Sequence, residues 1–141
     1  MTSAFSATYE NYLITVTGGV VSTTASLRII LGATTANYYS SLTKVNFTTG
    51  AVTGEGYNNG DKWPVVGYGN TNNINFCMSI QSPQLAKNTY YSSTYTNPDG
   101  GSGGTSAGYL GNSTQYTGFT LSPASGTLTG GTIRVYGYAN S

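Results

Sequence analysis

Residues that carry out acid–base chemistry are scarce in this chain. It has no histidine, and its carboxylates are Glu10, Glu55, Asp61 and Asp99. Glu55 and Asp61 flank one Asn/Gly-rich stretch, which is the nearest the sequence comes to the carboxylate pair of a glycoside hydrolase. Acids in a glycine-rich stretch are more often solvated surface groups, and acid–base catalysis at neutral pH most often uses histidine. We therefore expect a protein that is not an enzyme and has no catalytic residues.

Cofactor and metal chemistry has little support either. Gly100–Gly104 is glycine-rich like a phosphate-binding loop, but it lacks the Gly-Lys-Ser/Thr ending and the strand–helix setting of such loops. Asp99 stands alone, whereas a calcium loop needs several acids at fixed spacing. Cys77 is the single cysteine, so it forms no intrachain disulfide and no multi-thiolate metal site. We expect no cofactor and no metal.

Aromatic residues are the remaining candidates for binding. Tyr57, Trp63 and Tyr68 border the Asn/Gly-rich stretch, and flat aromatic faces beside amide groups suit contact with a glycan. The alternative for Trp63 is a core anchor, the usual place of a lone tryptophan in a small β domain.

A second aromatic set favours protein contacts. Tyr9 and Tyr12 lie near the start of the chain, and Arg134, Tyr136 and Tyr138 alternate with Ile133 and Val135 near its end. Tyrosine and arginine are enriched at protein–protein interfaces, so we expect an oligomer.

The charge composition limits the partners. Charged residues make up 6% of the chain and the net charge is +1, whereas ordinary globular domains contain about 25% charged residues. Five scattered cations form no basic stripe, so nucleic acid is not an expected partner. No apolar run approaches the length of a membrane span, and the first residues do not resemble a secretory signal.

Alternation with a period of two dominates the sequence, for example in Ala25–Leu31 and Asn73–Gln81. We predict one all-β domain over residues 1–141, an antiparallel β-sandwich of about eight strands of jelly-roll or Greek-key type. A closed barrel is the main competitor. Gly50–Gly60 and Asn97–Gly104 are predicted loops, and Pro64 predicts an edge strand or the start of a strand.

Three segments resemble one class of proteins. Phe5–Tyr12, Gln115–Pro123 and Gly130–Ser141 are similar to small β-rich virion proteins of tailed bacteriophages. That class includes capsid decoration (cement) proteins and tail-fibre or receptor-binding modules.

The resemblance implies a virion location and homotrimeric assembly. A decoration protein would sit on the outer capsid surface and bind the major capsid protein and its own copies. The alternative is a tail-fibre module that recognises a host surface polysaccharide. In either case the middle of the chain and the segment Asp99–Gly104 would be the exposed part.

Overall fold

The computed structural model describes residues 1–97 and 99–139. Asn140 and Ser141, the last residues of the C-terminal segment that carries the resemblance, lie outside the described residues, as does Pro98 of the predicted loop. The described residues form twelve strands and no helix: β1 (Asn11–Thr17), β2 (Val20–Val21), β3 (Ala25–Leu31), β4 (Tyr38–Asn46), β5 (Val52–Gly60), β6 (Trp63–Gly69), β7 (Ile74–Gln81), β8 (Thr89–Asn97), β9 (Ser102–Leu110), β10 (Phe119–Pro123), β11 (Leu128–Thr129) and β12 (Thr132–Gly137).

Seven of the strands form one large antiparallel sheet in the order β12-β1-β7-β8-β9-β4-β5. A second layer, β10-β3-β6, joins it because β6 pairs with the first two residues of β7. Strand β6 therefore packs across the inward face of the large sheet, and β2 with β11 form a small separate sheet. The fold is all-β and antiparallel, of β-sandwich type, as the sequence predicts, with twelve strands instead of about eight.

The two cleanest sequence patterns become strands with one buried face. In β3 the residues at alternate positions from Ala25 to Leu31 are buried, and in β7 those from Ile74 to Ile80 are buried. Each buried Leu, Ile, Phe or Met side chain of these two sets stabilises the fold by about 1.5–3 kcal/mol when it leaves water.

Trp63 lies at the centre of the core. Its ring packs edge-on against Tyr38, with the centroids 5.4 Å apart, and against Tyr91 at 4.4 Å. The following Pro64 is the second residue of β6, in a stretch where the pairing with β3 is interrupted between Trp63 and Gly67. Its missing amide hydrogen therefore removes no ladder hydrogen bond. No peptide bond among the described residues is cis, so Trp63–Pro64 is trans.

Of the two predicted loops, Gly50–Gly60 is wrong, and Asn97–Gly104 is correct only for the turn at residues 99–101 among its described residues. Most of Gly50–Gly60 is strand β5, and Ser102–Gly104 opens strand β9. Glycine and asparagine have low strand propensity, but both segments pair with β4, and those tertiary contacts override the local preference. Asp99 between β8 and β9 is also held in place, since its carboxylate accepts hydrogen bonds from Thr24 and from Asn70 Nδ2, the latter at 3.1 Å.

Candidate functional site

The predicted protein-contact residues separate into exposed and buried groups. Tyr136 and Tyr138 are half-exposed. Arg134 on β12 is exposed and donates a hydrogen bond to Thr17 Oγ1 at the end of β1. The backbone amide of Tyr138 donates to the Asn11 carbonyl at 2.9 Å, so the pairing of β12 with β1 continues past Gly137.

The prediction for Tyr12 is wrong, because Tyr12 belongs to the core. Its side chain is 2% exposed, and its hydroxyl donates to the Ser6 carbonyl at 2.6 Å and accepts from the Ser6 amide at 2.8 Å. The register of β1 explains this: Tyr12 pairs with Ile80 and shares the inward face with Ile14 and Val16. Tyr9 is half-buried and packs edge-on against Tyr12 at 6.1 Å.

The large sheet exposes one broad surface, which we call the outer face. It consists of the side chains of the seven strands that point away from the second layer, and residues paired directly across strands share it. Its floor is made of small uncharged residues: Cys77, Ser79, Ser92, Thr94, Thr105, Ala107, Ser41 and Thr43. Over β7, β8 and β9 this floor is indented by a shallow groove of about 310 Å³.

Large apolar and aromatic side chains border this floor. Eight such side chains are exposed among the described residues, and all but Met1 lie on the outer face or directly extend it. The seven are Val45, Phe47, Val52, Tyr90, Tyr109, Tyr136 and Tyr138. Tyr39 and Tyr109 stack with centroids 4.8 Å apart and planes 12° apart. Among the described residues of the seven strands, Arg134 is the one charged side chain on this face.

A second surface, the inner cleft, opens at the end of the inward face. It has a volume of about 470 Å³ and is lined by Lys44, Asn46, Thr49, Ala51, Thr53, Tyr68, Asn97, Gly100 and Ser102. Strand pairing brings these residues together, since Lys44 lies opposite Thr53 on β5, Asn46 lies opposite Ser102 on β9, and Ser102 lies opposite Asn97 on β8. Gly104 lies opposite Lys44, and an added Cβ there would collide with the Thr43 carbonyl oxygen.

An ion pair stands beside the inner cleft. Lys44 Nζ donates to Glu55 Oε1 at 2.7 Å, and the Tyr57 hydroxyl donates to Glu55 Oε2 at 2.7 Å. The hydrogen bond to Glu55 raises the pKa of Lys44, and the hydrogen bonds from Lys44 and Tyr57 lower the pKa of Glu55. Burial, followed by the contact with Glu55, raises the pKa of Tyr57 to about 12. At neutral pH the site therefore holds one cation and one anion that compensate each other.

Two of the three predicted glycan contacts meet near this cleft and one does not. Tyr57 and Tyr68 pack against the same small cluster of Leu42, Val65 and Tyr95. Trp63 is 0% exposed and its indole Nε1 donates to the Tyr109 carbonyl at 3.4 Å. The prediction that Trp63 contacts a glycan is therefore wrong, because the ring fills the core between the two layers.

Sequence reasoning missed the other members of both surfaces. The alternation of Val45 and Phe47 against Asn46 is visible in the sequence, but at the end of β4 the apolar side points outward and the polar side inward, whereas Tyr38 and Leu42 earlier in β4 point into the core. An apolar strand face is ordinarily assigned to the core, so pattern alone selects the wrong side. The sequence contains one signal for the cleft: Lys44 and Asn46 are two positions apart and therefore lie on the same side of a strand.

Two carboxylates and two serines with catalytic-type sequence neighbours, Glu55, Asp61, Ser41 and Ser102, are not arranged as in known catalytic sites. Lys44 holds Glu55 and Lys62 holds Asp61, and hydrogen bonds from these partners lower the pKa of both carboxyls, the opposite of what a general acid needs. Ser41 stands three residues before Lys44, but this spacing on a strand directs the two side chains to opposite faces. Ser102, centred in a Gly-x-Ser-x-Gly pattern, opens a hairpin strand, whereas that pattern acts at a strand-to-helix turn.

Metal sites and membrane-spanning helices were sought in residues 1–97 and 99–139. Within these ranges no three His, Cys, Asp or Glu side chains come together as metal ligands would. The same ranges contain no helix with the length and apolar character of a membrane span. In comparisons with known proteins, no family model, no curated protein and no solved structure matches this chain.

Proposed function

We propose that this chain is a non-enzymatic structural protein of a phage virion, a capsid decoration (cement) protein that binds the outer capsid surface through its outer face. The observation that carries the proposal is the concentration of seven exposed apolar or aromatic side chains on one nearly uncharged sheet face. The resemblance of the chain ends to small virion proteins supplies the biological setting.

The size of the outer face suits a stable protein contact. Seven strands about 4.8 Å apart and about 25 Å long cover roughly 700 Å². A standard protein–protein interface buries about 800 Å² on each partner. The floor of small hydroxyl side chains adds little cost, because uncharged groups lose much less hydration energy than ions when water leaves.

Binding to an assembled shell would stabilise it by mass action. A ligand that binds the assembled state alone adds about 2.7 kcal/mol per site at a free concentration of one hundred times its Kd. Tyr136 and Tyr138 lie at the β12 margin of the outer face, where a neighbouring copy in the implied homotrimer would meet them.

The test is to mix the purified protein with capsids that lack it and to measure co-sedimentation and the melting temperature of the shell. We expect saturable binding and a higher melting temperature. Thr94→Lys puts a charge in the middle of the outer face and should abolish both effects, whereas Ser125→Lys, in an exposed turn away from that face, should leave them unchanged. Equal binding by the two variants would remove the outer face as the docking surface.

The second candidate function is a tail-fibre or receptor-binding module that recognises host surface polysaccharide. The observation that favours it is the meeting of Tyr57 and Tyr68 beside the amide- and hydroxyl-lined inner cleft. Under this assignment the protein would lie in the tail, and the outer face would join it to other tail subunits.

A further inference from the structure

The inward face of the large sheet changes character along β4. Tyr38 and Leu42 are buried in the core, and the next inward positions are Lys44 and Asn46, which are half-buried at the inner cleft. Lysine and asparagine contribute nothing to an apolar core and are mostly placed in solvent. Packing in an apolar core therefore does not explain why Lys44 and Asn46 point inward, and their place in the lining of the cleft suggests a binding role.

The side chains at the cleft keep hydrogen-bonding capacity in reserve. The ammonium group of Lys44 can donate three hydrogen bonds, and one of them goes to Glu55. Asn46 Oδ1 accepts from the amides of Thr48 and Thr49, at 3.0 and 2.9 Å, and its Nδ2 donates to none of the described residues. Asn97 has the same arrangement, since its Oδ1 accepts from the Gly100 amide at 3.0 Å.

Aromatic surface and one unsatisfied hydroxyl lie next to these donors. Tyr68 lines the cleft, and its ring packs 5.3 Å from that of Tyr95. The Tyr95 hydroxyl is buried and has no hydrogen-bond partner among the described residues. The cleft thus combines an aromatic side chain, two amides, an ammonium group and several hydroxyls within a volume typical of small-ligand sites, about 300–1,000 Å³.

We propose that the inner cleft binds a neutral saccharide, with a sugar ring against Tyr68 and its hydroxyl groups hydrogen-bonded by Lys44, Asn46 and Asn97. This inference rests on the second candidate function and specifies its ligand class. A neutral ligand is favoured because the charge of Lys44 is compensated by Glu55, 2.7 Å away. An anionic ligand would have to displace Glu55 before it gained a full cation.

The test is an NMR titration of the whole ¹⁵N-labelled protein with methyl glycosides of glucose, galactose, mannose and N-acetylglucosamine. Galacturonate serves as the acidic probe. We expect at least one neutral glycoside to shift the amide signals of Lys44, Asn46 and Asn97 in a saturable way.

Two matched pairs of variants locate the site. Lys44→Met should weaken binding by about tenfold or more, since hydrogen bonds to charged groups are worth about 1.5–3 kcal/mol, whereas Lys62→Met, which breaks a pair with Asp61 outside the cleft, should not weaken it. Thr53→Val removes a hydroxyl from the cleft and should weaken binding, whereas Thr43→Val makes the same change on the outer face and should not. A dispersed amide spectrum verifies that each variant is folded.

The remaining outcomes overturn the inference in distinguishable ways. Shifts confined to the outer face would reject the cleft and keep the second candidate function. Binding of galacturonate alone would reject the neutral class. No shift with any probe, together with no signal from the protein on a glycan array, would reject both the cleft and the second candidate function. Capsid binding through the outer face is measured separately and is independent of all these results.

Discussion

The outer face and the inner cleft lie on opposite sides of the same strand, β4. Thr43 and Val45 point outward to a nearly uncharged surface bordered by apolar side chains, while Lys44 and Asn46 point inward to a polar cleft. In an ordinary antiparallel sheet the apolar side faces the core and the polar side faces water. The end of β4 has the reverse polarity, and this reversal gives Val45 to the outer face and Lys44 and Asn46 to the inner cleft.

The difference also separates two kinds of recognition. A broad, nearly uncharged surface bordered by apolar side chains gains free energy from area and suits another protein, whereas a concave polar site gains it from a few directed hydrogen bonds and suits a small ligand. The main core, with Trp63 at its centre, is separate from the small cluster of Leu42, Val65 and Tyr95 beside the inner cleft. Mutations in the core, on the outer face and at the cleft should therefore differ in the size of their effects.

The largest effect should come from the residue at the centre of the main core. Trp63→Ala should lower the free energy of unfolding by about 3–5 kcal/mol, because it leaves a cavity between Tyr38 and Tyr91. Urea unfolding followed by circular dichroism measures this. A loss below about 1 kcal/mol would mean that the two layers pack without it.

Removing two aromatic side chains from the outer face should affect association and leave the fold intact. The double variant Tyr136→Ser, Tyr138→Ser should weaken oligomer or shell binding by about 2 kcal/mol or more, the loss that interface hot spots show. Both residues are half-exposed, so the free energy of unfolding of the monomer should change by less than about 0.5 kcal/mol each. Sedimentation equilibrium and capsid co-sedimentation test this, and unchanged association would exclude the β12 margin from the interface.

The ion pair at the cleft should give a small dependence of stability on pH. The pKa of Glu55 is lowered, so its contribution is present above its unfolded pKa and is lost as the pH falls through the folded value; the pKa of Lys44 is raised, so its contribution is lost at alkaline pH. The pair is exposed to solvent and should be worth less than about 1 kcal/mol. Unfolding curves of the wild type and Lys44→Met between acid and neutral pH should converge at the acid end, and parallel curves would contradict this.

The smallest effect concerns the unsatisfied hydroxyl beside the cleft. Tyr95→Phe should leave stability at neutral pH unchanged or raise it by up to about 1 kcal/mol, because a buried hydroxyl without a partner gains nothing from folding. Burial raises the pKa of Tyr95 to about 12, so the wild type should lose stability relative to the variant above about pH 10, where the unfolded phenol ionises. Differential scanning calorimetry at neutral and alkaline pH measures both, and a clear loss of stability in the variant at neutral pH would show that the hydroxyl is bonded.

The sequence by itself determined the class of fold and the main core strands. Alternation in β3 and β7 identifies their buried sides without reference to any neighbour, because side chains on a strand point to opposite faces in turn. The lack of histidine and the small number of charges likewise limit the chemistry open to this chain, whichever way its strands pair.

Tertiary structure alone decided the rest. It turned the glycine-rich segment of β5 into a strand, buried Trp63 and Tyr12, and brought Lys44, Tyr68 and Asn97 to one cleft. These results depend on which strands pair and in what register, and register is set by contacts between residues far apart in the sequence. The local sequence pattern shows which residues of β4 share a face. The packing of β6 across the sheet determines which of the two faces lies inside.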